Sequence, residues 1–112
     1  MCNCNNTLHY VQNVTVTDTN VSLTVTNSTN ISSLDCFSLI VCKNIGANVT
    51  GAPLPVQVVV NGTAVTLLNK YSLPVLSDKL PCRRKYCGAY VAEGTASPYV
   101  ILFDTPRCKC NA

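Results

Sequence analysis

The sequence predicts an all-β domain: a single antiparallel β-sandwich of about seven strands, Ig-like or jelly-roll-like, or a partly open barrel. Three observations carry this. β-Branched residues alternate with polar ones at a period of two, turn formers recur between these runs, and no stretch shows the spacing of an amphipathic helix.

Residues 8–27, "LHYVQNVTVTDTNVSLTVTN", hold the first two strands. Val14 and Val16 alternate with threonines, Val21, Leu23 and Val25 alternate with Ser22, Thr24 and Thr26, and "DTN" at 18–20 is the turn between them. "DCFSLIVC" at 35–42 is the third strand, with Phe37, Leu39 and Val41 on one face. Residues 44–53 are rich in turn formers and form a loop. Residues 54–68 contain a hairpin, because Asn61-Gly62 stands between two apolar-periodic runs and suits a tight turn with positive φ. Residues 70–81, with two prolines, are irregular and hold at most a short helical turn. "KYCGAYVAEG" at 85–94 and "SPYVILFDTP" at 97–106 are the last two strands. Val14, Val16, Val58, Val60, Val65, Leu67, Tyr90, Ile101 and Phe103 are the expected core. The domain therefore spans residues 8–106, between an N-terminal cysteine tail (1–7) and a C-terminal one (107–112).

The chain has 112 residues, one domain's worth, and 12% of them are charged, about half the ordinary share. Twelve asparagines and twelve threonines fill much of the polar surface instead. Such a surface suits burial in an assembly as well as a plain Thr-rich sheet. No apolar run approaches the roughly 20 residues of a helical membrane span. The start lacks the basic segment and apolar core of a secretory signal. The expectation is synthesis in a cytoplasm with oxidation after release.

Oxidation is expected because eight cysteines occur. They stand in pairs: Cys2 and Cys4, Cys36 and Cys42, Cys82 and Cys87, Cys108 and Cys110. All eight are disulfide candidates. Two cysteines in Cys-x-Cys on an extended chain lie some 6–7 Å apart at ~3.3 Å per residue and bond poorly to each other. Each tail cysteine therefore needs a partner on the other tail or on another subunit. Cys36 and Cys42 would be ~20 Å apart in one continuous strand and could not pair. Cys82 and Cys87 could close a small loop if the chain turns between them. A four-thiolate zinc site from the tails is the competing reading, but structural zinc favours Cys-x2–4-Cys.

Five of the eight basic residues form two clusters, Arg83, Arg84 and Lys85, and Arg107 and Lys109. They are interface candidates for an acidic protein surface; they do not make the broad basic stripe of a nucleic-acid binder. Tyr86 and Tyr90 share a strand face and suit packing better than base stacking. Seven Asn-x-Ser/Thr triplets begin at Asn5, Asn13, Asn20, Asn27, Asn30, Asn48 and Asn61. They could accept glycans in a secreted protein, but strand alternation with Asn, Thr and Ser facing outward produces the same pattern. The single histidine, His9, lies in the first strand, and no two of the five carboxylates are close in sequence. There is no nucleophile elbow, phosphate-binding loop or dinucleotide fingerprint. No enzyme and no cofactor are expected.

The run from residue 56, "VQVVVNGTAVTLLNKYSLPVLSDKL", with "RRKYCGAYV" and "PYVILFDTP", resembles small β-rich virion proteins of crAss-like tailed bacteriophages of gut Bacteroidales. The likeness covers about residues 56–106. It implies capsid decoration, an auxiliary capsid role or a head fibre. The expected function is thus structural: a virion protein that stabilises its particle through subunit contacts and disulfides. Its partners would be copies of itself or a major capsid protein, with neither nucleic acid nor membrane. The alternative is a secreted, cysteine-rich β-sandwich binding module, glycosylated or not, and the third reading is a small zinc-binding module.

Overall fold

A computed structural model describes residues 8–41, 45, 49–80 and 84–103. Seven strands follow the chain: β1 (Leu8–Val16), β2 (Val21–Val25), β3 (Cys36–Val41), β4 (Val56–Val60), β5 (Thr63–Leu68), β6 (Arg84–Val91) and β7 (Tyr99–Leu102). Two 3-10 turns, Ser28–Asn30 and Ser77–Lys79, are seen among the described residues, and Ile45 is also in 3-10 conformation. The second falls in the irregular stretch where one short turn was expected.

The all-β class holds, but the two-layer antiparallel sandwich does not. The sheet closes into a barrel in the order β1-β2-β4-β5-β7-β6-β3 and back to β1. The pairing is also mixed. β1/β2, β4/β5, β6/β7 and β3/β6 are antiparallel, whereas β1/β3, β2/β4 and β5/β7 are parallel. Alternation reveals strands and faces; it carries no information on which edges meet, and each parallel seam here joins strands distant in sequence.

β1 makes one of the closures by changing partners along its length. Leu8–Tyr10 pair with β3, and Val11–Val16 pair with β2. A bulge at Gln12 separates the two halves, since Val11 faces Val25 but Asn13 faces Thr24. One extra residue shifts the phase of the strand. His9 and Val11 point inward before it, and Val14 packs on the core after it. Thr26 clasps this switch point. Its backbone N–H donates to Tyr10 O (2.9 Å), its Oγ1 accepts from Tyr10 N (2.9 Å), and its carbonyl accepts from His9 Nδ1 (2.6 Å).

The β4/β5 hairpin turns on Asn61 (φ 53°) and Gly62 (φ 82°), the two positive angles that a type I′ turn demands. Asn61 also donates from Nδ2 to Ile31 O at 3.2 Å, tying the turn to the β2–β3 connection. Gly88 in β6 is required for a different reason. A Cβ there would stand 2.7 Å from Ile101 O, so β6 and β7 approach closely only without a side chain.

The core contains Val21, Leu23, Phe37, Leu39, Val41, Val58, Val65, Leu67 and Tyr86 among others, all buried. Val58, Val60, Val65 and Leu67 were expected there, and Val14 and Tyr90 pack against it. Three expected members do not belong. Val16 and Phe103 are exposed and Ile101 is half-buried, while Val100 and Leu102 fill the interior instead. The run "YVILF" is apolar at every position, so its period cannot set its phase.

Candidate interaction face

The wall formed by β1, β3, β6 and β7 carries the chemically distinctive residues. Register places Leu8 beside Ser38 and Ser38 beside Cys87. Phe103 N–H donates to Cys87 O at 2.7 Å, which continues the row by one residue past β7. Because Phe37, Leu39, Tyr86 and Leu102 face the core, alternation turns Leu8, Ser38, Cys87 and Phe103 outward. Cys36, Ile40, Lys85, Ala89 and Tyr10 share this outer face.

Exposure across this face is uneven. At the flanks, Leu8, Tyr10 and Phe103 are 41%, 45% and 44% exposed. In the middle, Ser38 has no exposed surface and Ala89 only 7%. Cys36 and Cys87 are half-buried and both are disulfide-bonded. One sequence signal for a wall covered on both sides is "YVILF", which is apolar on both phases. A further exposed apolar group, Tyr71 (67%) and Leu73 (59%), lies in the β5–β6 connection. Asn69 shapes it, its Oδ1 accepting from Tyr71 N and Leu73 N at 2.9 and 3.1 Å.

Of the basic interface candidates, Lys85 is exposed on the outer face of β6, and Arg84 opens that strand opposite Val41. Arg83, Arg107 and Lys109 lie outside the described residues. So do Cys2, Cys4, Cys42, Cys82, Cys108 and Cys110, and with them both Cys-x-Cys tails and the zinc reading that rests on them. Among the described residues no group of three or more His, Cys, Asp or Glu side chains is assembled. Nor is any described helix long and apolar enough to cross a membrane.

His9 is the buried polar residue of interest. It is 2% exposed, stacks edge-on to Phe37 at 5.3 Å, and donates from Nδ1 to Thr26 O. That bond requires a proton on Nδ1, because a carbonyl oxygen only accepts, and Nε2 is buried without a hydrogen-bond partner. His9 borders a cavity of about 170 Å³ with Asn30, Ile31, Asp35, Cys36 and Phe37. A cysteine and a histidine thus share one cavity. The Cys36 sulfur, committed to a disulfide, has no proton for His9 to take, so the pair lacks the chemistry of an activated thiol.

No protein-family model, curated protein or solved structure matches this chain.

Proposed function

We propose that this chain is a non-enzymatic structural protein of an assembly, and that the assembly is a virion, in which it serves as a decoration or auxiliary capsid protein. The observation that carries the reading is the outer wall of β1, β3, β6 and β7. There, large apolar side chains stand exposed at Leu8, Tyr10 and Phe103 in a chain with only 12% charged residues. A free monomer gains nothing from such a face, whereas a subunit contact removes it from water. The likeness of residues 56–106 to phage virion proteins supplies the virion; Lys85, with Arg83 and Arg84, is proposed to meet an acidic surface of a neighbouring subunit. The partners would be other copies or a major capsid protein.

Sedimentation of the purified protein against a Leu8→Ser, Tyr10→Ser, Phe103→Ser variant tests the contact. Self-association that weakens by tenfold or more in the variant is expected. Equal, purely monomeric behaviour of both at high concentration, together with no binding to purified capsids, contradicts it. Exposed Asn13, Asn27 and Asn30 favour a second reading, the secreted binding module, because they leave acceptor side chains open to glycosylation. Glycan mass on any of them in native material would decide for that reading.

A further inference from the structure

We propose that copies of this barrel stack end to end, the basic end of one docking on the acidic end of the next. The contact uses surfaces other than the outer wall and does not rest on the virion reading.

The topology sorts the charges. At the first end of the barrel β1 turns into β2, β4 starts level with β2, β5 finishes and β6 begins. The second end holds the β2–β3 connection, the Asn61-Gly62 turn and the finish of β6. Every described lysine and arginine belongs to the first end: Lys70 and Lys79 in the β5–β6 connection, Arg84 and Lys85 at the start of β6. Two acids share that end, Asp18 and Asp78, and Asp78 has its Oδ1 buried. The second end carries two exposed carboxylates, Asp35 and Glu93. Ser33 links their loops, its Oγ donating to Glu93 Oε1 at 3.3 Å and accepting from Ala92 N at 3.1 Å. A barrel that is basic at one end and acidic at the other is complementary to a copy of itself in the head-to-tail orientation.

Apolar side chains stand exposed beside both sets of charges. At the first end these are Tyr71 and Leu73, with Lys70 Nζ 5.3 Å from the Tyr71 ring centroid. At the second end it is Leu34, 60% exposed and next in sequence to Asp35. The backbone is in the left-handed region at both places, with φ 71° at Leu34 and φ 64° at Ser72, which stands between Tyr71 and Leu73. Among the described residues the other non-glycine positive angles belong to Asn27 and Asn61, a residue type that enters this region readily, as leucine does not. Hydrogen bonds hold both strained places. Besides its side-chain bonds to Tyr71 N and Leu73 N, Asn69 donates its N–H to Leu73 O at 2.8 Å and accepts from Ser72 N at 2.9 Å. Leu34 N–H donates to Tyr90 O at 2.7 Å, and Asp35 N–H closes the turn on Ser32 O at 3.0 Å. Strain that fixes an exposed leucine beside a carboxylate suits a residue held ready for contact. In the stack Leu34 meets Tyr71 and Leu73 of the next copy, and Asp35 and Glu93 face its Lys70 and Lys79. An apolar centre with a polar rim is the usual make-up of a protein contact. Repetition of this heterologous contact builds a ring or a filament.

Sedimentation velocity of the purified full chain at low and high salt tests this. Wild type should associate with rising concentration, and the association should fade as salt is added. Two charge reversals probe the ends. Lys70→Glu with Lys79→Glu makes both ends acidic. Asp35→Asn with Glu93→Lys makes both ends basic, and the asparagine oxygen can still accept from Ser32 N–H. Each reversal alone should associate about tenfold or more weakly than wild type. An equimolar mixture of the two should associate again, because each chain then meets its opposite. Leu34→Gly suits the left-handed backbone, so it should weaken association with no loss of melting temperature, a result that misfolding cannot produce. The Leu8→Ser, Tyr10→Ser, Phe103→Ser variant should keep the salt-sensitive step, which separates this contact from the outer wall. Wild type that stays monomeric at low salt overturns the proposal. So do folded reversals or Leu34→Gly associating like wild type, a mixture that does not recover, or loss of the salt-sensitive step in the wall variant. None of these results touches capsid binding, the separate test of the outer wall.

Discussion

The two walls of the barrel differ in how they use their outer faces. β2, β4 and β5 alternate strictly, with buried Val21, Leu23, Val25, Val56, Val58, Val60, Val65 and Leu67 inside and mainly Ser22, Thr24, Gln57 and Thr66 outside. The opposite wall interrupts its register with a bulge, buries His9 inside and Ser38 outside, and carries disulfide-bonded cysteines between exposed apolar flanks. A wall with nothing but water outside needs one apolar face. A wall covered on both sides needs two, and its sequence loses the alternation. The first wall accounts for stability, and the second holds the features that suit contact with other chain.

The largest expected effect belongs to the first wall. Leu23→Ala empties a fully buried site where β2 and β4 meet, and should cost ~3–4 kcal/mol in chemical denaturation. The same loss should appear with and without reductant, because Leu23 lies on the wall away from the cysteines. A loss that vanishes on reduction would break the comparison.

Next is reduction of the wild type, which should lower stability by ~2–4 kcal/mol by releasing the bonds at Cys36 and Cys87. Cys36→Ser with Cys87→Ser should reproduce most of that drop and leave little further response to reductant. Gly88→Ala follows, at ~1–3 kcal/mol, because the new methyl meets the carbonyl of Ile101 and a backbone must shift. Melting curves of Gly88→Ala and of Ala64→Gly, a change in an exposed strand position of the first wall, give the contrast; equal small losses would show that β6 and β7 are not tightly apposed. The smallest is Thr26→Val. It removes the acceptor for Tyr10 N–H at an exposed edge and should cost ~1 kcal/mol, read from the denaturation midpoint.

The same contrast explains what could be read from the sequence. The first wall was legible almost residue by residue. Its period fixed the inner faces of β2, β4 and β5, and Asn61-Gly62 fixed the turn that joins the last two. The second wall was legible as strands but not as faces. "YVILF" offers two equivalent phases, and packing against Gly88 selected Val100 and Leu102 over Ile101 and Phe103. Gln12, the bulged residue, looks like any polar position in an alternating run, so the phase change it causes was invisible. Closure of the sheet depends on three parallel seams between distant strands, which local periodicity does not encode. The cysteines were legible as disulfide candidates. Cys42, which strand length argued against as a partner of Cys36, lies outside the described residues.

The central claim is that the second wall and its tails join this chain to neighbours. Native material, with thiols blocked at harvest, should be run on a denaturing gel with and without reductant. The account predicts a ladder of covalent oligomers without reductant that collapses with it to the 12.0 kDa chain. A single monomer band in both lanes would contradict covalent assembly.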